Sequence, residues 1–185
     1  MLFELKRNNY TKGLFMKNLT VALLVALLMT LTGRAEAHDD VQKTPSCQYC
    51  GMDRQMFAHS RMVVTYDDGT ATATCSLHCL AIDFALNIDK TPLKIEVADF
   101  GTKELIDAEK AAWVIGGNKP GVMSKVAKWA FANKVDARLF TIENGGSLAT
   151  FEQAIQAAYT DMYMDIKMIR EKRKMKKMKG AHTHS

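Results

Sequence analysis

The sequence predicts an α+β fold of two small ββαβ units packed together, with a long C-terminal helix. Three observations lead there. Short β-rich runs, broken by Asp-Gly or Gly-Gly turns, alternate with single helical stretches, and that order occurs twice. A chain of 185 residues leaves room for one compact unit or two small ones, not for a large barrel. A composition of 48% hydrophobic and 24% charged residues, with only 3 Pro and 11 Gly, excludes a disordered, collagen-like or low-complexity chain.

The elements follow in order. Residues 19–31, LTVALLVALLMTL, are uncharged and apolar, with Lys12 and Lys17 before them and Ala35-x-Ala37 after. This is the pattern of a secretory signal peptide over residues 1–37, and the apolar run is short of the roughly 20 residues needed to span a bilayer. Without a cysteine near the cleavage site, the mature protein is expected to be soluble and periplasmic. Residues 38–46, polar and containing Pro45, read as a flexible lead-in. The first ββαβ unit covers 47–100. Runs 61–66 and 70–75 flank Asp67-Asp68-Gly69 as a hairpin. Ser76 is placed to cap a helix over 77–87, with Leu77, Leu80, Ala81 and Phe84 on one face, and 94–99 is a strand. The second unit covers 101–160. Its strands are 112–115, ending at Gly116-Gly117, then 125–131 and 147–150; its helix is 134–143, stopped by Asn144-Gly145-Gly146. Thr150 caps a long helix starting at Phe151, with Glu152 and Gln153 in its first turn.

Residues 161–185 form a basic tail with methionines and histidines. Residues 165–179 hold eight Lys or Arg against two acids, whereas 38–164 hold 12 basic and 16 acidic residues. The tail reads as a solvated helix extension, or as a basic face toward anionic lipid or an acidic partner. No aromatic-basic platform is visible, so no nucleic-acid partner is expected.

There is no G-x-S-x-G, no glycine-rich phosphate loop and no H-E-x-x-H. Neither an enzyme nor a small-molecule substrate is expected. Sulfur dominates instead. Cys47, Cys50 and Met52 lie within six residues, with Met56 and Met62 close behind and Cys75 and Cys79 further on. Thiolate and thioether are soft donors that select Cu(I) over hard cations. The C-x2-C and C-x3-C pairs also supply the four donors of tetrahedral Zn(II). In an oxidising compartment Cys75 and Cys79 could equally be a disulfide, a metal pair or buried thiols. The Cys47-x-x-Cys50 pair lacks the helix that usually follows a thiol-disulfide motif. Met62 reads as core filler. His78 is open between ligand and surface residue, and His59 has no spacing partner. Met164, Met168 and Met175, among the tail methionines that include Met162 and Met178, share a helical face suited to packing. His182 and His184 could add weak copper capture, and a free amine on His38 could chelate Cu(II).

Cys50-Gly51-Met52 behind a signal peptide, then a hairpin and helix, resembles the NosL family. These are periplasmic copper-binding accessory proteins of nitrous oxide reductase assembly. The resemblance continues through Trp113-Val114-Ile115-Gly116-Gly117, Pro120-Gly121-Val122-Met123 and Ala130-Phe131-Ala132, and through Asp136-Ala137, Gly145-Gly146 and Phe151, over residues 46–158. It implies a Cu(I) metallochaperone whose metal is held by Cys50, Met52 and Met123, and whose partner is a copper-receiving reductase or its assembly proteins. Met123 rests on the resemblance alone. The chain departs from the family in lacking a lipid-anchor cysteine, in adding Cys75 and Cys79, and in its tail. Residues 47–84 also resemble TRASH/YHS metal fingers, C-x2-C-G-M…C-x3-C. That likeness implies a four-sulfur site of Cys47, Cys50, Cys75 and Cys79 for Zn(II) or another soft metal.

Overall fold

The computed structural model describes residues 39–182. The expected signal peptide, His38 and His184 lie outside the described residues. Strands β1 (Met62–Tyr66) and β2 (Ala71–Thr74) pair antiparallel as the expected hairpin. Gly69, at φ +79°, makes its turn, and Asp68 Oδ1 accepts from the Thr70 amide at 2.9 Å. Along β1, Met62, Val64 and Tyr66 are buried while Val63 and Thr65 are half-buried, the alternation of a strand with one face on a core. Helix α2 (Leu77–Leu86) follows, and β3 (Pro92–Ala98) returns to the other edge of β1.

A strand that the pattern did not announce, β4 (Leu105–Asp107), pairs with β3. The first sheet is therefore four-stranded, in the order β2-β1-β3-β4, and extends into residues expected to start the second unit. Three half-buried residues are too few to establish a period of two.

The second sheet, β5 (Ala112–Ile115), β6 (Lys128–Phe131) and β7 (Ser147–Ala149), has the order β6-β5-β7, all antiparallel. Strand β6 begins three residues later than expected, because 125–127 belong to a loop fastened elsewhere. Helix α3 (Lys134–Asn144) is capped by Asn133, whose side chain accepts the Asp136 amide at 2.9 Å. Helix α4 (Phe151–His182) opens on a reciprocal cap: the Thr150 amide donates to Gln153 Oε1 at 2.9 Å, and the Gln153 amide to Thr150 Oγ1 at 3.4 Å.

The second sheet divides two cores. Trp113 and Ala130 face one, with Met62, Val64, Tyr66, Leu80 and Phe151. Their chain neighbours Val114, Trp129 and Phe131 face the other, with Phe140, Cys47, Cys75 and Cys79. The aromatic wall of the second core is continuous, with the Phe100 ring 5.1 Å from Trp129 and 5.0 Å from Phe140, centroid to centroid.

Two expectations are corrected. The lead-in contains a helical turn, α1 (Asp39–Lys43), held by a buried ion cluster. Asp40 Oδ2 is 2.6 Å from Arg54 Nη2 and 2.9 Å from Arg61 Nε, and both arginines are fully buried. Polar composition concealed this, because the partners lie well along the chain. In the tail, Met164 and Met175 are 59% and 52% exposed and do not pack. Met168 is half-buried, and Met162 is the tail methionine that touches the first core. Among the described residues no helix is long and apolar enough to cross a membrane.

Candidate metal centre

The first cysteine pair sits on a tight knuckle. The Cys47 amide donates to the Met52 carbonyl and the Gly51 amide to the Cys47 carbonyl, each at 2.9 Å. Gly51 takes φ +73°, which a side chain at that position would resist. Arg54 fixes the knuckle from below. Its amide donates to the Pro45 carbonyl at 2.8 Å, its Nε to the Thr74 carbonyl at 3.1 Å and its Nη1 to the Thr44 carbonyl at 2.7 Å. Tyr49 fixes it from the side by donating its hydroxyl to Asp83 on α2, which also accepts from Tyr66. Burial first, and then the Asp83 carboxylate, push both phenols above their ordinary range.

The second pair comes from the end of β2 and the first turn of α2. Ser76 stands at the cap with extended backbone, but its side chain makes no capping hydrogen bond. The Cys79 amide instead donates to the Ser76 carbonyl at 3.1 Å. This strand-to-helix turn aims Cys75 and Cys79 at the knuckle. The Sγ atoms of Cys47, Cys50, Cys75 and Cys79 all lie within 4.8 Å of one another. Cys50 to Cys75 is 3.4 Å and Cys75 to Cys79 is 3.8 Å. All four are free thiols, so Cys75 and Cys79 are not a disulfide. A tetrahedral site with metal–sulfur bonds of about 2.3 Å has sulfur–sulfur edges of about 3.8 Å. The donor set therefore fits one soft ion with little rearrangement.

The thiols share charge. Hydrogen bonds from Cys50 first, then Cys75 and Cys79, drive Cys47 far below its ordinary range and favour its thiolate. For Cys50 the bond to Cys47 raises the pKa while Cys75 and Cys79 lower it, with a net fall to about 7. Cys75 and Cys79 are pushed up, chiefly by their bonds to Cys47 and then Cys50, and hold their protons. Three of the thiols are buried and Cys50 is half-exposed.

Met52 and Met123 are half-buried against the same core as the thiols. Met123 takes φ +60°, rare for a methionine, in a loop where a Cβ on Gly121 would fall 2.5 Å from the Ser124 carbonyl oxygen. The loop is pinned to α4: the Lys125 amide donates to Asp165 Oδ1 at 2.8 Å, and Lys128 Nζ to Asp161 Oδ2 at 2.6 Å. Asp165 was not singled out by sequence reasoning, since a lone acid in a basic helix carries no signal.

The other candidates separate from the cluster. His78 is buried and faces Asp165, with Nδ1 3.4 Å from Oδ2, and is no member of the thiol group. His59 is packed among Phe57, Phe100 and Trp129, and burial, then Lys103, lowers its pKa. Met56 is 71% exposed, and Met62 is sealed in the first core.

The family model NosL matches residues 38–159, about two thirds of the chain. The chain belongs to the NosL family. The crystal structure of the copper chaperone NosL from Shewanella denitrificans is similar to it, at 25% sequence identity and a TM-score of 0.50, over 67% of this chain and 97% of that chain. No curated protein matches. The NosL match spans all four cysteines, Met52 and Met123, and ends within the first turns of α4.

Proposed function

We propose that this protein is an exported, non-enzymatic Cu(I)-binding accessory protein. It carries one Cu(I) on its sulfur cluster and passes it to a copper-receiving reductase or that enzyme's assembly proteins, with nitrous oxide reductase as the expected recipient. The observation that carries the reading is that Met52 and Met123 lie half-buried with Cys50 against the core that holds the other thiols. NosL membership and likeness to a protein described as a copper chaperone support it. The ligands are Cys50, Met52 and Met123, with the Cys50 thiolate neutralising the ion. Cu(I) encircled by four thiolates would leave three negative charges in an apolar core, so a mixed set of few thiolates and neutral thioethers suits it better. Weak thioether donors also let a carrier release its cargo.

A second reading, a four-cysteine Zn(II) module, is favoured by the sulfur–sulfur separations of 3.4 and 3.8 Å. Anaerobic Cu(I) titration of reduced protein against a colorimetric competitor separates the two. One tight Cu(I) that weakens with Met123→Ala and survives Cys75→Ser/Cys79→Ser is expected. Binding indifferent to Met123 and abolished by the double substitution would replace the carrier with the zinc module.

A further inference from the structure

Helix α4 is fastened along the metal centre at three points. Asp161 takes Lys128 Nζ at 2.6 Å, Asp165 takes the Lys125 amide at 2.8 Å, and Arg173 Nη2 donates to the Cys50 carbonyl at 3.3 Å. Asp161 to Arg173 is roughly 18 Å of helix at about 1.5 Å per residue. The third contact falls inside residues 170–179, which carry seven Lys or Arg and one Glu, all exposed. This segment lies beyond the span matched by the NosL model. A concentrated positive field thus starts at the carbonyl of Cys50, the half-exposed thiol among three buried ones.

We propose that residues 170–179 are a docking surface for an acidic protein partner bearing a soft-metal ligand, held over Cys50 so that copper exchanges there. The inference rests on the Cu(I) reading above. In the exchange, the partner's thiol sulfur bonds to copper as the Cys50 Sγ–copper bond breaks. The proton leaving the incoming thiol passes to the Cys50 thiolate, and copper stays Cu(I) throughout. Charge selects an acidic occupant. The distribution of that charge selects protein over lipid. At about 100° per residue the basic side chains leave one sector of roughly 140°. In it the exposed Glu171 stands between Met178 and Met175, 54% and 52% exposed, so the helix has no uninterrupted apolar face of the kind an interfacial helix buries. A lipid surface also supplies no sulfur to receive the ion.

The test uses the Cu(I)-loaded protein and two synthetic acceptors with the same Cys-x-x-Cys core, one flanked by glutamates and one by glutamines. Transfer to the glutamate acceptor is expected to be about tenfold faster at low ionic strength, within the range electrostatic steering gives. That advantage should vanish in high salt and in Lys174→Glu/Lys176→Glu/Lys177→Glu, whose Cu(I) affinity should equal that of the parent. Equal rates to both acceptors, or a triple variant that keeps the preference, overturns the docking surface. So does binding to phosphatidylglycerol vesicles that the triple variant loses while the acceptor preference persists, because the face is then a membrane contact. A protein that takes up no Cu(I) overturns the carrier reading. Docking is then judged by fluorescence anisotropy of the labelled glutamate-flanked peptide on metal-free protein, where unchanged binding by the triple variant overturns it.

Discussion

The two cores share helix α2 and the second sheet, yet only one of them holds reactive atoms. Leu77, Leu80 and Ala81 of α2 enter the first core, while Cys79 and the preceding Cys75 enter the second. In the first core Met62 has no exposed surface. The second core is open at one edge, where Cys50, Met52 and Met123 are half-buried. A sealed sulfur such as that of Met62 is a packing atom, whereas sulfur at an edge that solvent and ions reach is available as a ligand.

Substituting one sulfur on each side of that divide gives the largest expected effects. Cys50→Ser should abolish tight metal binding under either metal assignment, read by competitor titration, with little change in thermal stability. Met62→Ala should do the reverse, leaving metal affinity intact and costing about 2–5 kcal/mol in urea unfolding, because a cavity is left in a sealed core. If Met62→Ala weakens metal binding as strongly as it weakens the fold, the cores are not separable.

The next effect concerns what braces the second core. Asp40 sits between two fully buried guanidinium groups. Its removal strands two charges, so Asp40→Ala should cost about 3 kcal/mol. Burial raises the Asp40 pKa, but hydrogen bonds and charge from Arg61, then Arg54, outweigh it and hold the carboxyl below its ordinary value. A depressed pKa contributes stability that is complete above the unfolded value of about 3.9 and is lost as pH falls through the folded one. The wild-type protein should therefore lose stability over Asp40 only below about pH 4, and Asp40→Ala should flatten that part of the acid limb. An identical acid limb in the variant would mean that another carboxyl is responsible.

Much of this comparison is legible in the sequence. The hairpin announces itself through Asp67-Asp68-Gly69, and the long helix through Thr150 and Gln153, because turn and cap chemistry is local. The cysteine spacing identifies the centre because each pair is carried by one short segment. Three things escape. Strand β4 is too short to carry a period. The Asp40 cluster depends on partners 14 and 21 residues away. Met123 reaches the thiol core only through tertiary packing, so no local pattern distinguishes it from Met62. The likeness to NosL supplied what periodicity could not.

The smallest effect tests how the open edge of the second core is held. Asp165 is 1% exposed on an otherwise basic stretch of α4, and its Oδ1 accepts the amide of Lys125, two residues after Met123. The strained backbone at Met123 persists only if the loop is tied down, and Asp165 is one of the ties. Asp165→Ala should weaken Cu(I) binding about tenfold, the lower end for residues that orient metal ligands. Asp165→Asn, which keeps an oxygen for the Lys125 amide, should restore most of the affinity. The decisive comparison is made in a Met123→Ala background. If Asp165 acts by positioning Met123, adding Asp165→Ala there should cost no further affinity; an additive loss would mean that it supports the whole core and not its open edge.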